Sequence, residues 1–300
     1  MNLRARAGTV FMGLPINLRV PLLHRLGRYA PWEPGFDFTP PVLRPDKTAG
    51  PPDFVGIGVQ KAGTTWWFGQ IAGHPEVYTR DDLHKERHFF DRIGTEPFRK
   101  TDIEAYHGWF PRPAGRCTGE WTPDYASSPW VAPLLAQAAP DARLLVLLRD
   151  PVERFRSGLA HQRRMGESNG PLSIADALQR GFYHRALTGW MAHFAPSQIL
   201  VQQFEQCVQD PAAQLRATFE FLGLPDGPVP PPPAAVVASS GTRNDPDPEL
   251  RDRLVAIYEP DVRALATLAP GLDLSLWPNF AHLSAGESPG GGANSPTRRT

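Results

Sequence analysis

The sequence predicts an α/β fold built on a parallel sheet, and three observations predict it. Short apolar runs of strand length recur along the chain. Each is followed by a longer run with helical spacing. The junctions carry glycine or proline where a strand hands over to a helix, as in "VGIGVQKAGTTWW" (Val55 to Trp67) and "LLRDPVERF".

The elements follow in order. Residues 30–52 hold Pro31, Pro34, Pro40, Pro41, Pro45, Pro51 and Pro52 and read as an extended lead-in. "DFVGIGV" is a buried strand, and "TTWWFGQIAG" a helix closed by Gly73. "ARLLVLLRD" is a second buried strand, with "PVERFRSGLAHQRRM" a helix carrying proline in its first turn. "SIADALQRG" and "YHRALTGWMAHF" read as helices, and "QILVQQFEQ" as a third strand. "PAAQLRATFEFLG" is a helix ending at Gly223. "PDGPVPPPPAA" is a stiff polyproline-like connection. Leu250, Leu254, Tyr258, Val262 and Leu265 then recur at helical intervals. The tail "SAGESPGGGANSPTRRT" has almost nothing to bury and is expected to be disordered. The expected organisation is a Pro-rich extension over 1–52, a catalytic domain over 53–280 and a tail over 281–300.

With 300 residues, 41% hydrophobic and 21% charged, the chain has the composition of a globular enzyme. Its formal net charge of +0 argues against nucleic acid as a partner. Cys117 and Cys207 are too few for a disulfide framework, which points to a reducing cytoplasm. No apolar run is long enough to span a membrane. Near the N-terminus, Gly13 and Pro15 interrupt the apolar patch, so a signal peptide is not expected. Arg4, Arg6, Arg19 and Arg25 among apolar residues leave peripheral membrane contact open beside plain packing on the domain. The only lysines are Lys47, Lys61, Lys85 and Lys100, a bias that points to a GC-rich bacterial genome. Oligomeric state is not legible.

The glycine turn at Gly58 to Thr65 has the features of an anion site. A strand feeding a helix leaves free N–H groups and a positive dipole end. Gly58 and Gly63 allow close backbone approach, and Thr64 and Thr65 add hydroxyls. In an ATP-binding loop, lysine and Ser/Thr follow the last glycine. Here Lys61 precedes Gly63, and Thr64 stands where that lysine belongs.

This arrangement resembles the 5′-phosphosulfate loop of the sulfotransferases that use 3′-phosphoadenosine 5′-phosphosulfate (PAPS). The resemblance implies a three-layer, P-loop NTPase-like sulfotransferase fold. It also implies that Lys61, Ala62, Gly63, Thr64 and Thr65 hold the 5′-phosphate, with Trp66 stacked on adenine. Gln60 and Ala62 depart from the proline and serine common in the cytosolic branch. "LLVLLRDPVERFRSGL" resembles the 3′-phosphate segment, in which Arg149 and Ser157 would clasp that group. A guanidinium fork and a hydroxyl suit phosphate oxygens. The rival reading is a Walker B strand ending in Asp150.

"HKERHFFDR" (His84 to Arg92) is similar to the Lys-Glu-x-His-Phe-Phe segment of the polysaccharide-type and bacterial branch. There the glutamate is the base, which places that role on Glu86, with Lys85 neutralising charge and His88 a second candidate. Phe89 and Phe90 are most simply core. His84 and His88 lack a convincing third metal ligand, so no metal is expected. "GEWTPDYASSP" resembles a segment lining the acceptor cleft. It carries Trp121 where animal polysaccharide enzymes tend to carry lysine, which speaks against an anionic polysaccharide acceptor; a simple turn at Thr122 to Tyr125 is the plainer alternative. Gly241, Thr242 and Arg243 look like a late cofactor loop, without the cytosolic Arg-Lys-Gly pattern. Trp67, Trp109, Trp121, Trp130 and Tyr106 either line an aromatic cleft or form core.

The resemblance implies transfer of a sulfuryl group from PAPS to a hydroxyl or amine of a small-molecule, glycolipid or carbohydrate acceptor, releasing PAP without metal. A nucleotide-dependent kinase, separable by its Mg²⁺ requirement, and a phosphonucleotide-binding module without turnover are the alternatives.

Overall fold

The computed structural model describes residues 24–25, 29–33, 35–79, 84–165, 170–236 and 247–284. Strand β1 (Phe54–Gly58) is buried at every position, as an unbroken apolar run in a sheet covered on both faces must be. It leads through a glycine turn into α1 (Thr64–Ala72). Helix α2 (Lys100–Gly108), strand β2 (Gly119–Trp121) and helix α3 (Val131–Ala138) follow. Strand β3 (Arg143–Leu148) delivers the chain to α4 (Pro151–Arg164), then α5 (Pro171–Gln179) and α6 (Tyr183–Met191). Strand β4 (Ile199–Gln203) runs directly into α7 (Phe204–Gln209) and α8 (Pro211–Leu222). The long α9 (Pro248–Leu268) follows.

The sheet is fully parallel, with strand order β2-β1-β3-β4. Phe54 pairs with both Gly119 and Arg143, and Leu144 to Leu148 pair with Ile199 to Gln203. Side chains alternate across it. Gln202 on one face bonds Trp67 Nε1 of α1 (3.0 Å) and Thr218 Oγ1 of α8 (3.0 Å). Ile57, Val146 and Leu148 on the other face Tyr183, Leu187 and Trp190 of α6. Helices α4 and α6 in turn pack on α9. The three layers expected from the sequence are present.

One glycine is fixed by close approach. A Cβ on Gly56 would lie 2.0 Å from the Trp121 ring, so only glycine lets β2 carry a tryptophan across β1.

The third strand is shorter than the sequence suggested. It stops at Gln203, because Phe204 turns under the β1–α1 loop and Glu205 and Gln206 bond the C-terminal segment. Gly73 caps α1 in a right-handed conformation, whereas Gly223 closes α8 at φ 69°. The sequence reading missed β2 as a strand, with α2 and α3. Strand β2 is three residues long and centred on a buried glutamate, so it shows no apolar run. Glu120 is tolerated because Tyr106 Oη (2.7 Å), Thr122 Oγ1 (2.6 Å) and Arg87 N (3.2 Å) all donate to it. Expectations for 1–23, with Arg4, Arg6 and Arg19 of the membrane-contact segment, and for residues 285–300 of the tail lie outside the described residues, whereas the start of that tail forms a short helical turn, Ala281–Leu283.

Candidate active site

All four strands end on the same side, where ligands of parallel α/β sheets bind. At the end of β1, Val59 N bonds Leu147 O (3.0 Å) and Ala62 N bonds Val59 O (3.2 Å), closing a tight loop. Lys61 takes φ 70° and Gly63 φ 88°. Gly63 gives α1 no side-chain cap, and the first turn carries no acid. The positive end of the helix therefore opens into the loop uncompensated. Thr64 is buried and Thr65 exposed. Ala62 is fully buried with its N–H spent on the turn, so it shapes the loop. Trp66 lies half-buried against Trp67 and Phe204, at centroid distances of 5.1 and 6.2 Å. Its Nε1–H is buried and has no acceptor among the described residues.

Arg149 stands just beyond β3. It is 4% exposed, its Nη1 donates to Lys61 O (3.3 Å), and its guanidinium lies 5.1 Å from the Phe204 ring centroid. The two expected phosphate segments are thus joined. Ser157 is half-buried, two turns into α4. Gly241, Thr242 and Arg243 lie outside the described residues.

Asp150 does not play the Walker B part. Its carboxylate is fully buried and accepts from Val152 N (2.9 Å), Glu153 N (3.3 Å), Asn279 N (3.1 Å) and Asn279 Nδ2 (2.9 Å). It is a helix cap with both oxygens engaged. The kinase reading loses the carboxylate it needs to hold Mg²⁺.

The segment from His84 to Arg92 lies along β2. Trp121 N bonds Lys85 O (2.9 Å), Arg87 N and His88 N bond Thr122 Oγ1 (2.8 and 3.3 Å), and Phe89 N bonds Tyr125 Oη (3.0 Å). Phe89 and Phe90 are core. Lys85 Nζ meets Glu86 Oε1 at 2.5 Å, and His88 Nε2 lies 3.4 Å from Glu86 Oε2. His88 Nδ1 is held by Asp91, and Asp124 lies 3.8 Å from Nε2. Asp124 is itself gripped by Arg180.

The charges set one another. Burial pushes the Glu86 carboxyl up, but donation from His88 and the Lys85 charge outweigh it and hold the group down at about 2. Burial pulls His88 down, but Asp91 and Glu86 outweigh that and raise it to about 10. At neutral pH, Glu86 is a carboxylate and His88 an imidazolium donating from both nitrogens. Burial lowers Lys61, with the Arg164 charge adding to the effect and Glu86 opposing it. Lys61, Lys85, Glu86 and Arg149 therefore share one electrostatic neighbourhood. Trp32, half exposed, sets its ring edgewise 5.6 Å from both His84 and His88 at the mouth of this cluster.

Among the aromatics left open by the sequence, Trp67, Trp121 and Tyr106 are fully buried core. Trp109 borders two cavities of about 180 and 130 Å³ that share His84 and Arg87, and Trp130 is 40% exposed. The sequence reading gave no role to Asp91, Asp124 or Arg180. The i,i+3 spacing of His88 and Asp91 was a usable local signal, whereas Arg180 meets Asp124 only through the fold.

A family profile described as "Sulfotransferase family" matches residues 120–228. The mouse heparan sulfate glucosamine 3-O-sulfotransferase 3B1 is 31% identical over 188 residues, covering 58% of this chain and 46% of that protein. The human bifunctional heparan sulfate N-deacetylase/N-sulfotransferase 3 is 28% identical over 198 residues, covering 58% and 22%. The chain thus spans about half the length, or less, of the curated relatives it matches. The crystal structure of a sulfotransferase from Alicyclobacillus acidocaldarius superimposes with a TM-score of 0.61 at 25% identity, covering 75% of this chain and 98% of that one. Over residues 120–228 the chain is similar to the sulfotransferase family, and its fold is that of a solved sulfotransferase.

Proposed function

We propose that this protein transfers a sulfuryl group from PAPS to a hydroxyl or amine of a carbohydrate or other small acceptor and releases PAP. One observation carries the reading: the Lys61 loop, Arg149 and the Lys85–Glu86–His88 cluster converge at one end of the sheet.

Lys61, Gly63, Thr64 and Thr65 bind the 5′-phosphate end of the donor at the uncapped start of α1. Trp66 packs on the adenine side, where its unpartnered Nε1–H is available to a ligand acceptor. Arg149 and Ser157 take the 3′-phosphate. The acceptor attacks sulfur in line. The new bond forms from the acceptor oxygen or nitrogen to sulfur, and the bond from sulfur to the bridging oxygen breaks. Glu86, ionised, takes the acceptor proton. Lys61 stabilises charge on the departing oxygen, and Lys85 holds Glu86 in place. His88, already protonated, orients Glu86 by hydrogen bonding. No metal enters these steps, because a sulfuryl group carries less charge than a phosphoryl group.

The names of the relatives support a carbohydrate acceptor. Trp121 is fully buried and its backbone O accepts from Lys85 Nζ (3.3 Å), so this position does not separate neutral from anionic acceptors. The free thiols of Cys117 and Cys207 support a cytoplasmic location, and the arginine-rich composition supports a bacterial source. Incubation with labelled PAPS, neutral oligosaccharides and a bacterial small-molecule extract, read by mass spectrometry, tests the reading. Sulfated product should form, and Lys61→Ala should lower its rate by about 10²-fold or more. PAP binding with no product from any acceptor would instead mark a binding module.

A further inference from the structure

The backbone that carries Arg149 lies beyond the sheet ladder. The β3–β4 pairing ends at Leu148↔Gln203, so Arg149 and Asp150 must find other partners. Tyr183 Oη donates to Arg149 O (2.8 Å). Asp150 N donates to Glu205 Oε1 (3.1 Å). The remaining partners arrive from the far end of the chain. Trp277 Nε1 donates to Glu205 Oε2 (2.9 Å), and Asn279 donates twice to Asp150 Oδ2, from N (3.1 Å) and Nδ2 (2.9 Å). Asp150, Trp277 and Asn279 are all buried.

The C-terminal segment is itself fixed. Gln203 and Asp273 exchange two bonds (3.0 and 2.9 Å), and Gln206 Nε2 donates to Gly271 O (3.1 Å). Arg251 Nε, from α9, donates to Asn279 Oδ1 (2.8 Å). That bond decides which way the Asn279 amide faces. With Oδ1 occupied by a guanidinium, Nδ2 must turn to Asp150. The segment from Gly271 to Asn279 is therefore a strap drawn across the ends of β3 and β4. It reaches Arg149 through Asp150 and Glu205.

We propose that Asn279 is a positioning residue for the 3′-phosphate clasp: through Asp150 it fixes the backbone from which Arg149 reaches the donor nucleotide. The inference rests on the reading that Arg149 binds the 3′-phosphate. A misplaced fork loses a directional, charge-assisted contact with the 3′-phosphate, a larger loss than its single 3.3 Å bond to Lys61 O on the 5′ side. The effect is therefore selective for nucleotides bearing a 3′-phosphate.

Calorimetry with PAP and 5′-AMP on the full chain tests this. The unaltered protein should prefer PAP by about tenfold or more, the worth of one charge-assisted hydrogen bond. Asn279→Ala should cut that preference to about threefold or less by weakening PAP, with 5′-AMP affinity held within about twofold. Arg251→Gln, an exposed change that spares the core, should lower the preference in the same direction, and serves if Asn279→Ala fails to fold. The double exchange Asp150→Asn with Asn279→Asp restores a side-chain bond of reversed polarity and should recover part of the preference. Loss of stability alone would not alter the ratio of two affinities. A full PAP preference in the folded variants, or equal weakening of both nucleotides, would overturn the inference. Equal binding of PAP and 5′-AMP by the unaltered protein would instead remove the Arg149 reading beneath it.

Discussion

Glu86 and His88 divide one proton between them unequally, and that division decides which can act as base. Glu86 is lowered from its ordinary 4.5 to about 2, and His88 is raised from 6.5 to about 10. The sequence left both as candidates. Only the partners distinguish them: Lys85 and His88 on the carboxylate, Asp91 and Glu86 on the imidazole. Glu86→Gln should lower turnover by about 10²–10⁴-fold with PAP affinity unchanged. His88→Asn should keep a larger share of activity while moving the acid limb of the pH–rate profile upward, because the carboxylate loses a donor. A dead His88→Asn beside an active Glu86→Gln would reverse the assignment. The same shifts set opposite stability trends. The Glu86 contribution is complete above about 4.5 and is lost as pH falls toward 2. The His88 contribution is complete below about 6.5 and is lost as pH rises toward 10. Thermal melts should therefore drop between pH 6.5 and 10 in the unaltered protein and less in His88→Asn.

At the scale of elements, the junction of β1 and α1 joins a strand end, an uncapped helix start and a ring beneath them. Gly63 sits at φ 88°, and a Cβ there would lie 2.6 Å from the Phe204 ring. Gly63→Ala should therefore strain the backbone and displace Phe204, on whose ring Arg149 rests. The expected cost is about 1–3 kcal/mol in denaturant unfolding, together with weakened PAP binding. An unchanged melting midpoint and PAP affinity would show that the loop relaxes freely. This junction was legible because strand, glycine turn and helix are contiguous. The end of β4 was not legible. "QILVQQFEQ" reads as one extended run, yet Phe204 is taken into the space under Gly63 and the chain turns helical there. Strand β2 was invisible for a different reason. Its glutamate is buried only because Tyr106, Thr122 and Arg87 converge on it from other elements.

For the molecule as a whole, the question is whether group transfer here depends on a divalent cation. Asp150, the carboxylate at the end of β3 that the Walker B reading needs, is spent on capping α4 and receiving Asn279. No grouping of metal-ligating side chains suited to an ion occurs among the described residues. Transfer measured in EDTA should equal transfer in Mg²⁺. A large loss on chelation would return the kinase reading.

The sequence by itself determined the α/β class, the phosphate loop, the arginine after β3 and the Lys85–Glu86 pair. All of these are local: a strand, a turn and a helix start lie within a few residues, so a short window of sequence contains them, and the family resemblance implies their roles. Tertiary structure alone decided that Arg149 touches the Lys61 loop, that Trp121 is core, that Glu86 is ionised while His88 is protonated, and that Asn279 sits behind Asp150. These facts depend on pairs far apart in the chain and on burial. Desolvation and hydrogen bonding act through distance in space, which no short window of sequence encodes.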